Sequence, residues 1–217
     1  ENLHGVVEEV RAALMELRYA SIPVGVRLND VSADEAFQLA YGHNAKFLQL
    51  SHVAGKYVEA PKGIPDTFET TRKSFSNIPV LGGVHPKGFT PLPDSCLETE
   101  IIAGKTRSDG IVVTGETIGS ETPMERIVQF REYLCGHPLI VGSGVTVNNV
   151  YRQLQVADGA IVGSYSKVGG VLENPVDQGR VQELMSVVMQ LRADEELKKQ
   201  EIMKNSEKET KLLSPTQ

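Results

Sequence analysis

Short apolar segments recur along this chain, and an amphipathic segment follows each of them. The predicted strands begin between 21 and 32 residues apart and are Pro23 to Leu28, Lys46 to Leu50, Ile78 to Val84, Gly110 to Val113, Pro138 to Val141 and Gly159 to Val162. The predicted helices cover residues 6–18, 33–42, 66–75, 95–105, 123–135, 147–155 and 177–192. Strands that alternate with helices in this way form a parallel sheet with helices packed outside it.

The strand segments also indicate where the sheet is buried. Gly110 to Val113 and Pro138 to Val141 are apolar at every position, so both faces of these strands are expected to be covered. A half-solvated antiparallel sheet would instead alternate polar and apolar residues. The sequence therefore predicts an α/β fold.

Two helix starts carry a recognisable local pattern. Ser32 precedes Glu35 by three residues, and Thr122 precedes Glu125 by three residues with Pro123 after it. Both patterns are typical of capping boxes, in which side chains at the two positions satisfy each other's backbone N–H groups. Helices are therefore predicted to begin at these two places.

Composition excludes several classes of function. The 217 residues include 22 Lys and Arg against 28 Asp and Glu, for a net charge of −6, so no basic surplus is available for nucleic acid. No apolar run approaches the roughly 18 residues that a membrane span needs. Cys96 and Cys135 do not have the spacing of a metal-binding or redox motif, which favours reduced thiols. We therefore expect a cytoplasmic location. An organelle is the alternative if a segment precedes Glu1.

The composition changes near Arg192. Residues 192–211 hold six acidic and six basic side chains with little apolar periodicity. Such a segment is typical of a solvated helix that frays into a disordered end. We therefore predict an α/β domain over residues 1–191 and a charged tail, helical or disordered, over residues 192–217.

Two glycine-rich turns follow the last two predicted strands, at residues 142–146 and 163–167. Glycines let the backbone approach an anion closely, and N–H groups at a helix start favour negative charge. In (β/α)8 barrels the loops after the seventh and eighth strands form such phosphate sites. The predicted contacts are Gly142, Ser143, Gly144, Thr146, Gly163 and Ser164. The alternative is that these glycines only make tight turns.

Polar residues also follow the other predicted strands, where the loops of a barrel converge on one mouth. The pairs are Asn29 and Asp30, Gln49 and Ser51, His85 and Lys87, and Thr114 and Glu116. An imidazole transfers protons near neutral pH, so His85 or Lys87 is the candidate proton-transfer group and Asp30 its partner. The alternative for His85, Lys87 and Asp30 is that each side chain is a structural hydrogen-bonding group or is exposed to solvent. The remaining histidines lack ligand spacing, and we predict neither a metal nor a cofactor.

Several segments together resemble the BtpA/SgcQ family of barrel proteins. The match runs in order from about Glu1 to Met185 through segments 22–30, 79–87, 109–115, 141–146, 158–164 and 173–177, with Gly55 and Tyr57. The resemblance implies a TIM-type (β/α) barrel that is incomplete at its N-terminal side. About six of eight parallel strands are present, so two strand edges would be open, which favours oligomerisation or low stability.

The chain departs from the family pattern at the rim of the barrel. Gln49 and Ser51 stand where relatives carry Arg and Asn, and Gly83 and Gly88 stand where relatives carry Asp and His. These losses of charged groups weaken any expectation that the family's chemistry is retained. The glycine loops, in contrast, match the family.

These observations leave three hypotheses for function. The first is a barrel that binds a phosphorylated small molecule and acts as a lyase or isomerase on a sugar-phosphate-like substrate. The resemblance also implies the second, a catalytically silent assembly factor with a protein partner, because a cyanobacterial relative is associated with photosystem I. The third is a truncated isoform without function. Whether the chain is an enzyme stays open at this point.

Overall fold

The computed structural model describes residues 3–28, 31–60, 63–115 and 120–212. Six parallel strands form one sheet whose spatial order is the order of the sequence. The strands are β1 (Gly25–Arg27), β2 (Phe47–Leu50), β3 (Val80–Gly83), β4 (Gly110–Val113), β5 (Leu139–Val141) and β6 (Gly159–Ala160). The six predicted parallel strands and the α/β fold of barrel type are therefore confirmed.

Helices alternate with these strands. They are α1 (Leu3–Glu16), α2 (Ala33–Gly42), α3 (Phe68–Ser74), α4 (Leu97–Arg107), α5 (Met124–Leu134), α6 (Val150–Leu154) and α7 (Gln178–Leu212). Helix α6 is shorter than the predicted 147–155, and α7 continues 20 residues beyond the predicted end at residue 192. No helix within the described ranges is long and apolar enough to cross a membrane.

The two faces of the sheet differ in burial because the six strands form only part of a barrel. On the outer face, Leu48, Val80 and Ile111 are fully buried beneath the helices. On the inner face, Gln49, Leu81 and Ile140 remain half-buried. The hydrophobic core therefore lies between the sheet and its outer helices, as in a barrel wall.

At the N-terminal end of the sheet, carboxylates hold strand starts in place. Asp158 accepts hydrogen bonds from the Leu139 N–H at 2.8 Å and from the Arg131 guanidinium at 2.5 Å. Burial alone would raise the pKa of Asp158, but these hydrogen bonds and the arginine charge outweigh burial and lower it. The same arrangement occurs at the start of β3, where the Asp109 carboxylate accepts hydrogen bonds from the Val80 N–H and from the Arg72 guanidinium.

The two predicted capping boxes have different outcomes. At α2 the Ser32 side chain accepts from the Glu35 N–H, and the Glu35 carboxylate accepts from the Ser32 N–H, as predicted. At α5 the prediction is wrong, because Pro123 is the N-cap and no side chain caps this helix. The Thr122 hydroxyl instead donates to the Ser143 carbonyl at 3.2 Å. Tertiary contact with the next loop therefore replaces the local cap.

Candidate functional site

A cavity of about 450 Å³ lies at the C-terminal ends of β5 and β6. Both glycine-rich turns contribute to its wall. Its lining residues are Glu121, Gly144, Val145, Thr146, Asn148, Asn149, Arg152, Ser164, Tyr165, Gly170 and Arg180. We call this cavity the rim cavity. The sequence motifs that predicted a phosphate site thus meet at one place, together with two arginines.

Gly144 determines how closely the first loop approaches its neighbour. Its φ angle is +65°, and a Cβ atom built there would lie 2.4 Å from the Glu121 Cα and 2.5 Å from the Glu121 N atom. L-residues rarely adopt this φ angle, and backbone atoms at that distance must move. Glycine is therefore required here, and it sets the position of Glu121 at the cavity.

Only some of the predicted phosphate contacts line the rim cavity. Gly144, Thr146 and Ser164 do, whereas the Ser143 hydroxyl is buried and accepts from the Gly115 N–H at 2.9 Å. The Gly142 N–H donates to the Val113 carbonyl and so extends the pairing of β5 with β4. Gly163, also predicted, lies in a turn in which its carbonyl accepts from the Ser166 hydroxyl at 2.8 Å.

The Asn149 side chain determines which backbone groups the first loop can offer. Its Oδ1 atom accepts from the Thr146 N–H at 2.8 Å, and its Nδ2 atom donates to the Gly144 carbonyl at 2.8 Å. The Thr146 N–H is therefore already satisfied. Because α6 begins only at Val150 and is five residues long, positive charge at the cavity must come mainly from side chains.

Arg180, in the first turn of α7, is one source of that charge. Its Nε atom donates to the Tyr165 carbonyl at 2.6 Å, and its guanidinium lies 4.5 Å from the centre of the Tyr165 ring. The Tyr165 hydroxyl in turn donates to Glu183 at 2.6 Å. Arg180 is half-buried and is fixed in orientation by these contacts.

Arg152, on α6, is the second source of positive charge. Its guanidinium forms an ion pair with the Glu121 carboxylate, and the two side chains are 56% and 39% exposed. The fully buried Gln153 also donates to Glu121, at 3.4 Å. The rim cavity therefore has one fixed arginine and one arginine in an exposed ion pair. Neither arginine was predicted, because both come from helices whose approach depends on packing.

The predicted proton-transfer residue His85 has a carboxylate partner elsewhere on the rim. Its Nε2 atom lies 2.5 Å from the Glu100 carboxylate, and both side chains are about 15% exposed. His85 adopts a φ angle of +46°, which is uncommon for a residue with a side chain. Glu100 belongs to the first turn of α4 and was not predicted, since no local pattern links it to His85.

Tyr57 holds the His85 backbone in this conformation. Its hydroxyl accepts from the His85 N–H at 3.0 Å and donates to the Ala54 carbonyl at 2.8 Å. Burial, with the charge of Glu100, raises the pKa of Tyr57 to about 12 although the His85 hydrogen bond and Arg126 oppose the rise. Tyr57 therefore stays protonated at neutral pH and acts as a structural donor.

The Lys87 backbone is bound to the residue that follows β4. Its backbone N–H donates to the buried Thr114 hydroxyl at 2.8 Å. Burial and the nearby Arg27 charge lower the pKa of its side-chain amine. Its predicted partner Asp30 lies outside the described residues, as does Glu116. Thus no contact between the three predicted catalytic side chains is described.

The described part of the chain contains no group of three or more His, Cys, Asp or Glu side chains placed to hold a metal ion. His52 lies 5.2 Å from the rings of Tyr57 and Phe89, and burial lowers its pKa. Such packing is typical of a neutral imidazole in an aromatic cluster. His52 therefore contributes to packing behind the rim.

Comparison with known proteins identifies relatives along most of the chain. The model of the BtpA family matches residues 7–190. An uncharacterised protein of Thermococcus kodakarensis is 30% identical over 179 residues, which are 79% of this chain and 67% of that protein. The photosystem I biogenesis protein BtpA of Synechocystis is 27% identical over 166 residues, 73% of this chain and 58% of that protein.

An uncharacterised Caenorhabditis elegans protein described as mitochondrial is 27% identical over 177 residues, which are 77% of this chain and 63% of that protein. The chain thus spans between 58% and 67% of the lengths of these three relatives.

Solved structures resemble the fold at low sequence identity. Phosphoribosyl anthranilate isomerase from Thermus thermophilus has a TM-score of 0.56 at 15% identity and covers 85% of this chain and 80% of its own. Mycobacterium tuberculosis tryptophan synthase has a TM-score of 0.60 at 17% identity and covers 84% of this chain and 68% of its own. Likeness at this identity establishes the barrel-type fold.

Proposed function

The chain belongs to the BtpA family, and from that premise we propose that it binds the phosphate group of a small molecule in the rim cavity. The observation that carries the proposal is the meeting of both glycine loops with two guanidinium groups at one cavity. Gly144 and Thr146 line one side, Ser164 another, and Arg152 and Arg180 supply positive charge. Arginine is well suited to phosphate because its planar N–H groups match the phosphate oxygens.

We further propose that the bound molecule is a sugar-phosphate-like compound on which the protein acts as a lyase or isomerase. His85 is the proposed proton-transfer group, because a carboxylate such as Glu100 fixes an imidazole's orientation and leaves its second ring nitrogen for the substrate. Lys87 and Asp30 remain the other candidates. Phosphoribosyl anthranilate isomerase shares the fold and is named as an isomerase, so its likeness supports an isomerase reaction only by analogy of fold.

The sheet sets the size of such a substrate. His85 follows β3, whereas the rim cavity lies after β5 and β6, so at least two strand spacings separate them. At about 4.8 Å per spacing, the phosphate and the reacting atom would be roughly 10 Å apart. This span favours a phosphorylated pentose, hexose or larger conjugate over a triose phosphate.

The test is a thermal melt of the full 217-residue chain with inorganic phosphate and then with triose, pentose, hexose and nucleoside phosphates. A ligand at 100 times its Kd adds about 2.7 kcal/mol, which raises Tm by about 5 to 10 °C for a chain of this size. Arg180→Gln should lose the shift, because it removes the fixed cation of the cavity.

The matched control is Arg192→Gln, which removes an exposed arginine from the same helix without touching the rim cavity. It should keep the full shift. No shift with any phosphorylated compound, or equal shifts in both variants, would contradict phosphate binding in this cavity.

One observation favours a second candidate, an assembly factor for another protein. The Synechocystis relative carries the name of a photosystem I biogenesis protein. Capture of one stoichiometric protein partner, with no turnover of any sugar phosphate and no effect of His85→Gln on that capture, would support this function over catalysis. A homo-oligomer and a cytoplasmic or organellar location remain predictions.

A further inference from the structure

The two arginines of the rim cavity are held in different ways. Arg180 is fixed by the Tyr165 carbonyl and ring, whereas Arg152 is paired with Glu121 in an exposed position. An exposed ion pair contributes little to stability and exchanges readily for another anion. Arg152 can therefore leave Glu121 for a ligand at low cost, while Arg180 offers its charge without rearrangement.

Glu121 keeps a second donor if Arg152 leaves. The Gln153 amide lies 3.4 Å from the Glu121 carboxylate and is itself fully buried. The Glu121 backbone is also packed against Gly144, so its position does not follow Arg152. The carboxylate thus stays at the cavity as a fixed negative charge beside any bound anion.

We infer that Arg152 and Glu121 make the rim cavity selective for phosphomonoesters over phosphodiesters, an inference that rests on the proposed phosphate binding. A monoester carries a second negative charge near neutral pH, which is strong enough to draw Arg152 away from Glu121. A diester carries one charge, which Arg180 alone satisfies while Arg152 stays with Glu121. The dianion therefore gains a second charge-assisted interaction that the monoanion does not gain.

The experiment measures binding of methyl phosphate and dimethyl phosphate to the full chain at pH 8 by calorimetry. The wild type should bind methyl phosphate about tenfold more tightly, from one additional hydrogen bond to a charged group. Arg152→Gln should bring the two affinities within about twofold by weakening methyl phosphate alone. Glu121→Gln should tighten methyl phosphate about fivefold, because it frees Arg152 and removes the repelling carboxylate.

Glu125→Gln is the matched control, since Glu125 is an exposed carboxylate in the first turn of α5 that does not line the cavity. It should leave both affinities within twofold of the wild type. If wild type and Arg152→Gln show the same preference, the selectivity inference is wrong although phosphate binding stands. If neither probe binds the wild type, the proposed function itself fails, and the inference fails with it.

Discussion

The two ends of the same sheet use arginine–carboxylate pairs for different purposes. At the N-terminal end, the Asp158 carboxylate accepts from both Arg131 and the Leu139 backbone N–H. At the C-terminal end, the partners of the Glu121 carboxylate among the described residues are side chains, those of Arg152 and Gln153. A pair that also satisfies a backbone donor is part of the fold, whereas a pair made only of side chains can be exchanged for a ligand.

The largest effect on stability is expected at Gly144, where a loop at the C-terminal end of the sheet lies against the backbone of Glu121. Gly144→Val should lower the free energy of unfolding by about 2 to 4 kcal/mol, because the φ angle is positive and the Glu121 backbone must move. It should also abolish phosphate binding. Urea denaturation and calorimetry measure the two effects.

Gly88→Val is the control for Gly144, since Gly88 has a φ angle of +79° but nothing within 4 Å of an added Cβ atom. Conformational strain alone should cost about 1 to 2 kcal/mol. Equal losses at the two positions would mean that the contact between Gly144 and Glu121 is unimportant.

The next largest effect is expected at the N-terminal end. Asp158→Ala removes the acceptor of the Leu139 N–H and the partner of Arg131, which should cost about 1 to 2 kcal/mol of unfolding free energy. Glu132→Ala, at an exposed carboxylate beside Arg131 on α5, should stay within about 0.5 kcal/mol of the wild type. A cost at Asp158 no larger than at Glu132 would remove the structural role of the pair.

The same pair predicts a dependence of stability on acid. The folded-state pKa of Asp158 is lowered from its ordinary value of 3.8, so its contribution is fully present above pH 3.8 and is lost as pH falls through the folded-state pKa. The difference in unfolding free energy between wild type and Asp158→Asn should therefore be constant near neutral pH and shrink below pH 3.8. Denaturation series from pH 7 to pH 2 test this, and a constant difference throughout would contradict it.

The smallest effect is expected at the exchangeable pair. Arg152→Gln should change the free energy of unfolding by no more than about 0.5 kcal/mol, because both members of the pair are exposed and, in the described part of the chain, the Glu121 carboxylate is bound by side chains. Chemical denaturation of Arg152→Gln and Asp158→Ala under the same conditions compares the two unfolding free energies directly. If Arg152→Gln costs as much as Asp158→Ala, the arginine–carboxylate pairs at the two ends of the sheet contribute equally to the stability of the fold.

Sequence patterns predicted the sheet well because the strands are local apolar segments. Gly110–Val113 is apolar at all four positions and matches β4 at both ends. The cap at Ser32 was predicted because it needs only residues three apart. The prediction of a cap at Thr122 was wrong because the Thr122 hydroxyl donates to Ser143, 21 residues away in the loop after β5.

The candidate site was predicted only in part, for the same physical reason. Glycines after strands mark loops, so Gly144 and Ser164 could be found in the sequence. Arg152 and Arg180 reach the cavity only through the packing of α6 and α7, and Glu100 reaches His85 only through the packing of α4. A basic residue in the α-helix that follows each glycine loop is a sequence signal that would have pointed to the arginines.

The order of the strands has a consequence for how the chain gains its cooperativity. Every strand pairs with the strands adjacent to it in sequence, and among the described residues β1 and β6 do not pair with each other. The folding of each strand is therefore coupled to that of its sequence neighbours, as in repeat proteins, and the coupling does not pass around a closed ring of strands. Local opening should be easiest at the two-residue strand β6 and hardest at β4, where all four residues are buried. The rim cavity thus lies toward the end of that line where transient opening needs the least free energy.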